Sequence, residues 1–184
     1  MIARRKLLQF GLVSAAAGAV AIPRKTFAQA IQSQPVRRVA FHNLHTDEKL
    51  DAVYWERGQY VPDALQAINK VLRDFRTGDV HPMDPKLMDL LAAISSTVET
   101  KQSFQIISGY RSPKTNALLH EASEHSGVAN HSLHMQGMAT DIRLPDVQLA
   151  HLHKAALALQ SGGVGYYPKS DFVHVDVGRV RHWG

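Results

Sequence analysis

"DFVHVDVG", residues 171–178, alternates apolar and polar side chains with a period of two. In an extended strand this places Val173, Val175 and Val177 on one face and Phe172, His174 and Asp176 on the other. The valines call for a core, while the opposite face offers an imidazole and a carboxylate. "GMATDIRL", residues 137–144, repeats the pattern, with Met138, Thr140, Ile142 and Leu144 on one side and Ala139, Asp141 and Arg143 on the other. Two such strands make a rigid platform with ligand-type residues on one face. His134, just ahead of the second strand, can swing back over it across a flexible Gly137.

The remaining segments supply partners for that platform. Residues 36–60, "VRRVAFHNLHTDEKLDAVYWERGQY", alternate on both sides of "HTDEK" and read as a β-hairpin. "PDALQAINKVLRDFR", 62–76, opens with Pro62 in a first-turn position and carries Leu65, Ile68, Val71, Leu72 and Phe75 at helical spacing. In "DPKLMDLLAAISSTVET", 84–100, Asp84 is placed to cap a helix whose first residue is Pro85. "SFQIISGY" (103–110) reads as a strand and "PKTNALLHEAS" (113–123) as a short helix. "PDVQLAHLHKAALALQ" (145–160) reads as a helix stopped at Gly162-Gly163, and "GVGYY" (163–167) as a strand turning at Pro168 into the last one. Strands are too many for regular βαβ units. The expected fold is therefore α+β, a central antiparallel sheet carrying the site with helices packed against it.

Composition sets the frame. A chain of 184 residues, 45% of them hydrophobic, is long enough for one well-buried core and short for two. The net charge of +5 suggests nucleic acid or an anionic membrane until its location is considered. Five of the 21 basic residues (Arg4, Arg5, Lys6, Arg24 and Lys25) and none of the 16 acidic ones lie in residues 1–30, leaving 16 of each sign. The nucleic-acid reading loses its main support. Residues 1–30 have a charged start, an Ala/Gly-rich apolar middle from Leu7 to Ile22, and Ala-Gln-Ala at 28–30, the pattern of an export signal. Arg4-Arg5 before Lys6-Leu7-Leu8 resembles the twin-arginine motif, a route for folded proteins to the periplasm. A linker (31–38) and a folded domain (39–184) follow, with the first extended segment starting near Val36 and no further stretch long enough to stay in a membrane.

The chain has 11 histidines and no cysteine, so a bound metal must be held by His, Asp or Glu. His134, Asp141 and His174 fit zinc, which accepts His nitrogen and Asp oxygen; three protein ligands leave its fourth position open, the catalytic arrangement. Each residue also has a plainer reading. A lone histidine in a strand is more often a hydrogen-bonded packing residue; Asp141 could pair in the neighbourhood of Arg143, and His131 could cap a turn after Asn130. His42, His45, His81, His120, His125, His151, His153 and His182 read as surface, turn or packing residues.

The conjunction Ser132-x-His134-x-x-Gly137-x-Ala139-x-Asp141, with His174 on a later strand, resembles the zinc signature of the D-Ala-D-Ala metallopeptidase superfamily, which includes lysostaphin-type and VanX-type enzymes and the hedgehog domain. "SGYRS", "GGVGYYP", "FVHVDVG" and "VRHWG" resemble more narrowly the MepK-type murein endopeptidases, over about Phe41 to Trp183. The resemblance implies His134, Asp141 and His174 as zinc ligands. It also implies Arg111 of "GYRS" as the residue steadying a substrate carbonyl or carboxylate oxygen. Relatives often place the catalytic acid three residues before the last histidine, here Asp171; Asp176 is the other candidate, with a bond orienting His174 as its alternative role. The expected protein is a monomeric, zinc-dependent murein endopeptidase acting on peptidoglycan stem peptides. A D,D- or L,D-carboxypeptidase on the same scaffold, or a non-catalytic zinc-stabilised peptidoglycan-binding module, stand as alternatives. The length and course of "HEASEHSGVANHS", 120–132, bear on the choice between the first two.

Overall fold

The computed structural model describes residues 34–121 and 129–184. The leader and the middle of the 120–132 segment lie outside the described residues. The elements are β1 Val36–Asn43, β2 Lys49–Glu56, β3 Gln59–Tyr60, α1 Pro62–Val71, α2 Pro85–Thr97, β4 Phe104–Ser108 and α3 Pro113–Glu121. They continue with a 3-10 turn Leu133–Gln136, β5 Ala139–Arg143, α4 Leu149–Leu159, β6 Gly163–Tyr167, β7 Phe172–Asp176 and β8 Arg181–Trp183.

The strands form a single eight-stranded sheet in the order β3-β2-β1-β4-β5-β7-β6-β8. This is the expected α+β class. The central run β4-β5-β7-β6 is antiparallel, and parallel pairs, β1 with β4 and β6 with β8, join the two flanks to it. On one face α1 packs on β2, α2 on β1, and α4 on β6 and β7. Phe41, Tyr54, Leu87, Leu91, Ile94, Ile106, Ile142, Leu152, Val173 and Val175 form the core beneath these helices. Fully burying one such side chain stabilises by about 1.5–3 kcal/mol. The other face of β5 and β7 is free for chemistry. Among the described residues no helix is long and apolar enough to cross a membrane.

Several boundaries differ from the sequence expectation, each with a local cause. β1 begins at Val36, so Val36, Arg37 and Arg38, assigned to the linker, pair with Glu56, Trp55 and Val53. Helix α1 stops at Val71 rather than Arg76 because tertiary partners take its last carbonyls: Asn43 Nδ2 donates to Val71 O at 2.8 Å and Tyr110 N to Leu72 O at 2.7 Å. Helix α4 starts at Leu149 rather than Pro145, with Asp146 accepting from Thr100 Oγ1. It ends on Gln160 in the left-handed region, φ 51, not on Gly162-Gly163; the Gly163 N–H serves Asp176 Oδ1 instead, at 3.0 Å. Asp84 caps α2 as expected, accepting from Lys86 N at 2.9 Å. In β4 an extra residue, Ile107, lies between Ile106, opposite Ile142, and Ser108, opposite Asp141. Such a bulge re-aims the chain beyond it, and the segment beyond it is 109–112.

Asp74, just past α1, is 1% exposed. Burial works to raise its carboxyl, and the Thr115 and Ser112 hydroxyls, followed by the amides of Ser112 and Arg76, bring it down to about 2. A carboxyl held below its unfolded value stabilises the fold above about pH 3.9, and that contribution is lost as pH falls through about 2. Asp74→Asn is therefore expected to cost about 2 kcal/mol at pH 7 and nearly nothing at pH 2. Urea unfolding of both proteins across pH 2–7 checks this; a constant difference would refute it.

Candidate metal centre

The expected ligands arrive from two kinds of backbone. Asp141 and His174 lie directly opposite one another on β5 and β7, on the face away from the helices. His134 sits in the 3-10 turn, where Ser132, not His131, is the cap, its Oγ accepting from His134 N at 3.4 Å. Gly137 closes the turn in the left-handed region, φ 68. It is not the flexible joint the sequence suggested. Its carbonyl accepts from Asp84 N at 2.9 Å, and an added Cβ would run into the Pro82 carbonyl and lie 3.1 Å from the His81 ring and Met83 Cα. Only glycine fits that φ without strain and this approach, so the turn is pinned to the start of α2.

These supports bring three side chains together. His134 Nε2 lies 3.1 Å from His174 Nδ1 and 3.3 Å from Asp141 Oδ1, and His174 Nδ1 lies 2.9 Å from the same oxygen. Among the described residues this is the group of His and acidic side chains whose spacing could hold a metal ion. The outward nitrogens explain the orientation. His134 Nδ1 is 2.7 Å from Gly109 O and can only donate to it; His174 Nε2 is 3.0 Å from Asp176 Oδ2 and donates there. With both outer nitrogens acting as donors, each neutral ring turns a lone pair inward, toward a carboxylate oxygen. Three such atoms facing one point, all on residues buried to 9% exposure or less, could hold a cation between them, and the N,N,O set fits zinc.

Electrostatics agrees. Burial works to raise the Asp141 carboxyl, but His134 and then His174 hold it well below the usual carboxylate range. Burial works to lower His174, and its bonds to Asp141 and Asp176 carry it up to about 9.

Arg111 lines the same cleft, 9% exposed, with a guanidinium nitrogen 3.7 Å from Asp141 Oδ2. That is beyond hydrogen-bond reach, and its Nε is buried with no partner among the described residues. Burial pulls this guanidinium below its ordinary value, with Asp141 opposing. A buried cation whose Nε finds no partner among the described residues can receive an acceptor from outside the chain.

The sequence matches the family described as "Peptidoglycan L,D-endopeptidase MepK" over residues 31–183. It is 41% identical over 180 residues to the peptidoglycan L,D-endopeptidase MepK of Escherichia coli strain K12, covering 98% of this chain and 96% of that one. The Shigella flexneri protein of the same name gives the same figures. The probable peptidoglycan L,D-endopeptidase MepK of Haemophilus influenzae is 36% identical over 181 residues, 98% of this chain and 95% of that one. The chain belongs to the MepK family.

In this MepK-family chain neither expected catalytic acid reaches the cleft. Asp171 sits in the turn before β7 with its side chain 61% exposed, paired with Arg143 at 2.6 Å, and lines a separate depression beside Gln105 and Pro145. Asp176 is fully buried and saturated. It accepts from His174 Nε2, Gly163 N and Gly178 N and holds Arg181 through both guanidinium nitrogens at 2.7 and 3.0 Å. Burial works against its charge, yet these bonds keep it well below the ordinary range. The His174 bond is the alternative role the sequence gave it.

Sequence reasoning assigned no role to the far wall of the cleft. Trp183 of β8 stands 5.2 Å from the His174 ring, donates Nε1–H to Tyr167 Oη at 2.8 Å and lies under Arg181. Gly165 makes room for it: a Cβ there would come within 2.7–2.8 Å of the indole. A three-residue strand gives too little alternation to be read; the glycine within "GVGYY" is the one local feature that could have pointed to a close approach. Four of the other histidines have the packing or turn contacts of their plainer readings, His42 bonded to Asp47, and His45, His81 and His153 stacked on Phe75, Tyr110 and Tyr166, while His131 lines the cleft. His125 lies outside the described residues.

Proposed function

We propose that this protein is an exported, zinc-dependent peptidase that hydrolyses peptide cross-links in peptidoglycan. The observation that carries the reading is the convergence of His134 Nε2, Asp141 Oδ1 and His174 Nδ1 beside Arg111, whose buried Nε has no hydrogen-bond partner among the described residues. The names of the relatives support the substrate class, and the basic, alanine-rich residues 1–30 support export through the twin-arginine route to the periplasm.

His134, Asp141 and His174 would hold the ion. When bound there, zinc supplies a Lewis acid for the scissile carbonyl and a means of making water nucleophilic near neutral pH. Gly109 O and Asp176 keep the two imidazoles in the tautomers that face the ion. Arg111 donates to the oxygen on which negative charge develops as the carbonyl becomes tetrahedral. Trp183, Tyr167 and Phe172 form an apolar wall that excludes water from one side of the scissile bond.

The test is incubation of the purified protein with dimeric muropeptides, with and without chelator, and identification of products by mass. Cleavage to monomers, lost on chelation and restored by zinc, is expected. Intact dimers over a demonstrably metal-loaded protein would favour the non-catalytic binding module, and release of single terminal residues the carboxypeptidase. Asp171→Asn should leave the rate within a few-fold, because its carboxylate faces Arg143 rather than the cleft. A drop of about 10²–10⁴-fold, the range for general acid–base catalysis, would restore Asp171 as the base. Export is checked with a reporter fused to residues 1–30, expected to stay in the cytoplasm when Arg4 and Arg5 become lysine.

A further inference from the structure

Buried carboxylates are costly unless an ion pair or several hydrogen bonds compensate them. Asp74 is 1% exposed and, among the described residues, takes part in no ion pair. Its oxygens serve backbone amides on two loops: Oδ1 accepts from Arg76 N at 3.0 Å and Oδ2 from Ser112 N at 2.9 Å. The turn that carries it is closed on itself, Asp74 N donating to Asp79 O at 3.0 Å and Gly78 N to Asp74 O at 2.7 Å.

Ser112 directly follows Arg111. The residue before it, Tyr110, is tied to the same stretch of chain, donating N–H to Leu72 O at 2.7 Å. Arg111 is thus gripped on both sides by the segment that leaves α1. The loop also meets the candidate metal ligands, since Arg111 N donates to His134 O at 3.2 Å and Gly109 O accepts from His134 Nδ1 at 2.7 Å. Among the described residues the Arg111 side chain is held only by its 3.7 Å ion pair with Asp141, and its Nε has no hydrogen-bond partner, so the backbone does most to set where its guanidinium stands.

We infer that Asp74 is a positioning residue for the reaction, acting through the Ser112 amide to fix the 109–112 loop and with it the Arg111 guanidinium. The inference rests on the reading of Arg111 as the donor to the developing oxyanion. It deepens that reading by naming the group that aims it.

Asp74→Ala, Asp74→Asn, Arg111→Ala and the Asp74→Ala/Arg111→Ala double variant of the zinc-loaded protein are compared for kcat, KM, metal stoichiometry and amide exchange. Misplacement of a reacting group by about 1 Å can cost on the order of 10²-fold. Asp74→Ala is expected to lose kcat on that scale, with KM within about threefold, metal content unchanged and a faster-exchanging Ser112 amide. Asp74→Asn keeps one oxygen that can accept from Ser112 but exchanges a charge-assisted bond for a neutral one, and should lose about three- to tenfold. In the Arg111→Ala background, removal of Asp74 should add no more than a few-fold, since both changes disable the same donor.

Full kcat in folded Asp74→Ala, a full-sized further loss in the double variant, or a loss that tracks missing metal would each overturn the inference. If Asp74→Ala does not fold, Asp74→Asn decides alone. Slower turnover with metal retained and faster Ser112 exchange supports the inference, and unchanged kcat overturns it. An Arg111→Ala variant with full activity would instead count against the assigned role of Arg111, while Ser112 exchange would still report whether Asp74 holds the loop.

Discussion

Asp141→Ala is expected to empty the site of metal and bring muropeptide cleavage to background. Asp141 is the one anionic member of the trio, and its Oδ1 lies within 3.3 Å of both imidazole nitrogens. Without it, two neutral rings and the Arg111 cation face the same point, a poor place for a divalent ion. The metal-free fold should suffer too, because the His174 imidazolium, raised to about 9, loses an acceptor in a buried setting. Breaking a buried pair costs about 3–5 kcal/mol. Metal analysis after dialysis, product masses and a urea titration without zinc read the three effects separately. Retention of one equivalent of zinc with near-normal turnover would remove Asp141 from the ligand set.

Arg111→Ala should behave differently, and the contrast is what makes the pair informative. Here metal is expected to remain at one equivalent, KM to change little, and kcat to fall by about 10²–10³-fold, the cost of removing one oxyanion donor. Arg111→Lys should recover little, since a single ammonium on a flexible stem does not reproduce a planar fork set by the backbone. A loss confined to KM would mean that Arg111 holds a substrate carboxylate equally in ground and transition states. A full-rate variant would leave its buried, partnerless Nε without a catalytic explanation.

The parts of this protein legible in the sequence are those where a local pattern and the tertiary demand coincide. The alternation in 137–144 and 171–178 places Asp141 and His174 on one face, and the fold pairs them rung to rung. Pro85 and Asp84 mark the start of α2 correctly because a cap is a contact between near neighbours. What could not be read depends on distant partners. The end of α1 is decided by Tyr110 and Asn43 taking its carbonyls, and Gly137 is immobilised by Pro82, more than fifty positions earlier in the chain. Asp171 matched a position relative to His174, yet Arg143 draws its carboxylate aside. Trp183 enters the site only because β8 lies parallel to β6, a pairing no short-range signal announces.

The ladder between β5 and β7 carries one last implication. Shifting either strand by a single residue would turn its valines or isoleucine toward water and its ligand toward the oil-filled side at the same stroke. Correct burial of Ile142, Val173 and Val175 therefore acts as a proofreading step for the chemistry above it: a chain that has solved its solubility problem has, without further selection, also solved the alignment of Asp141 with His174.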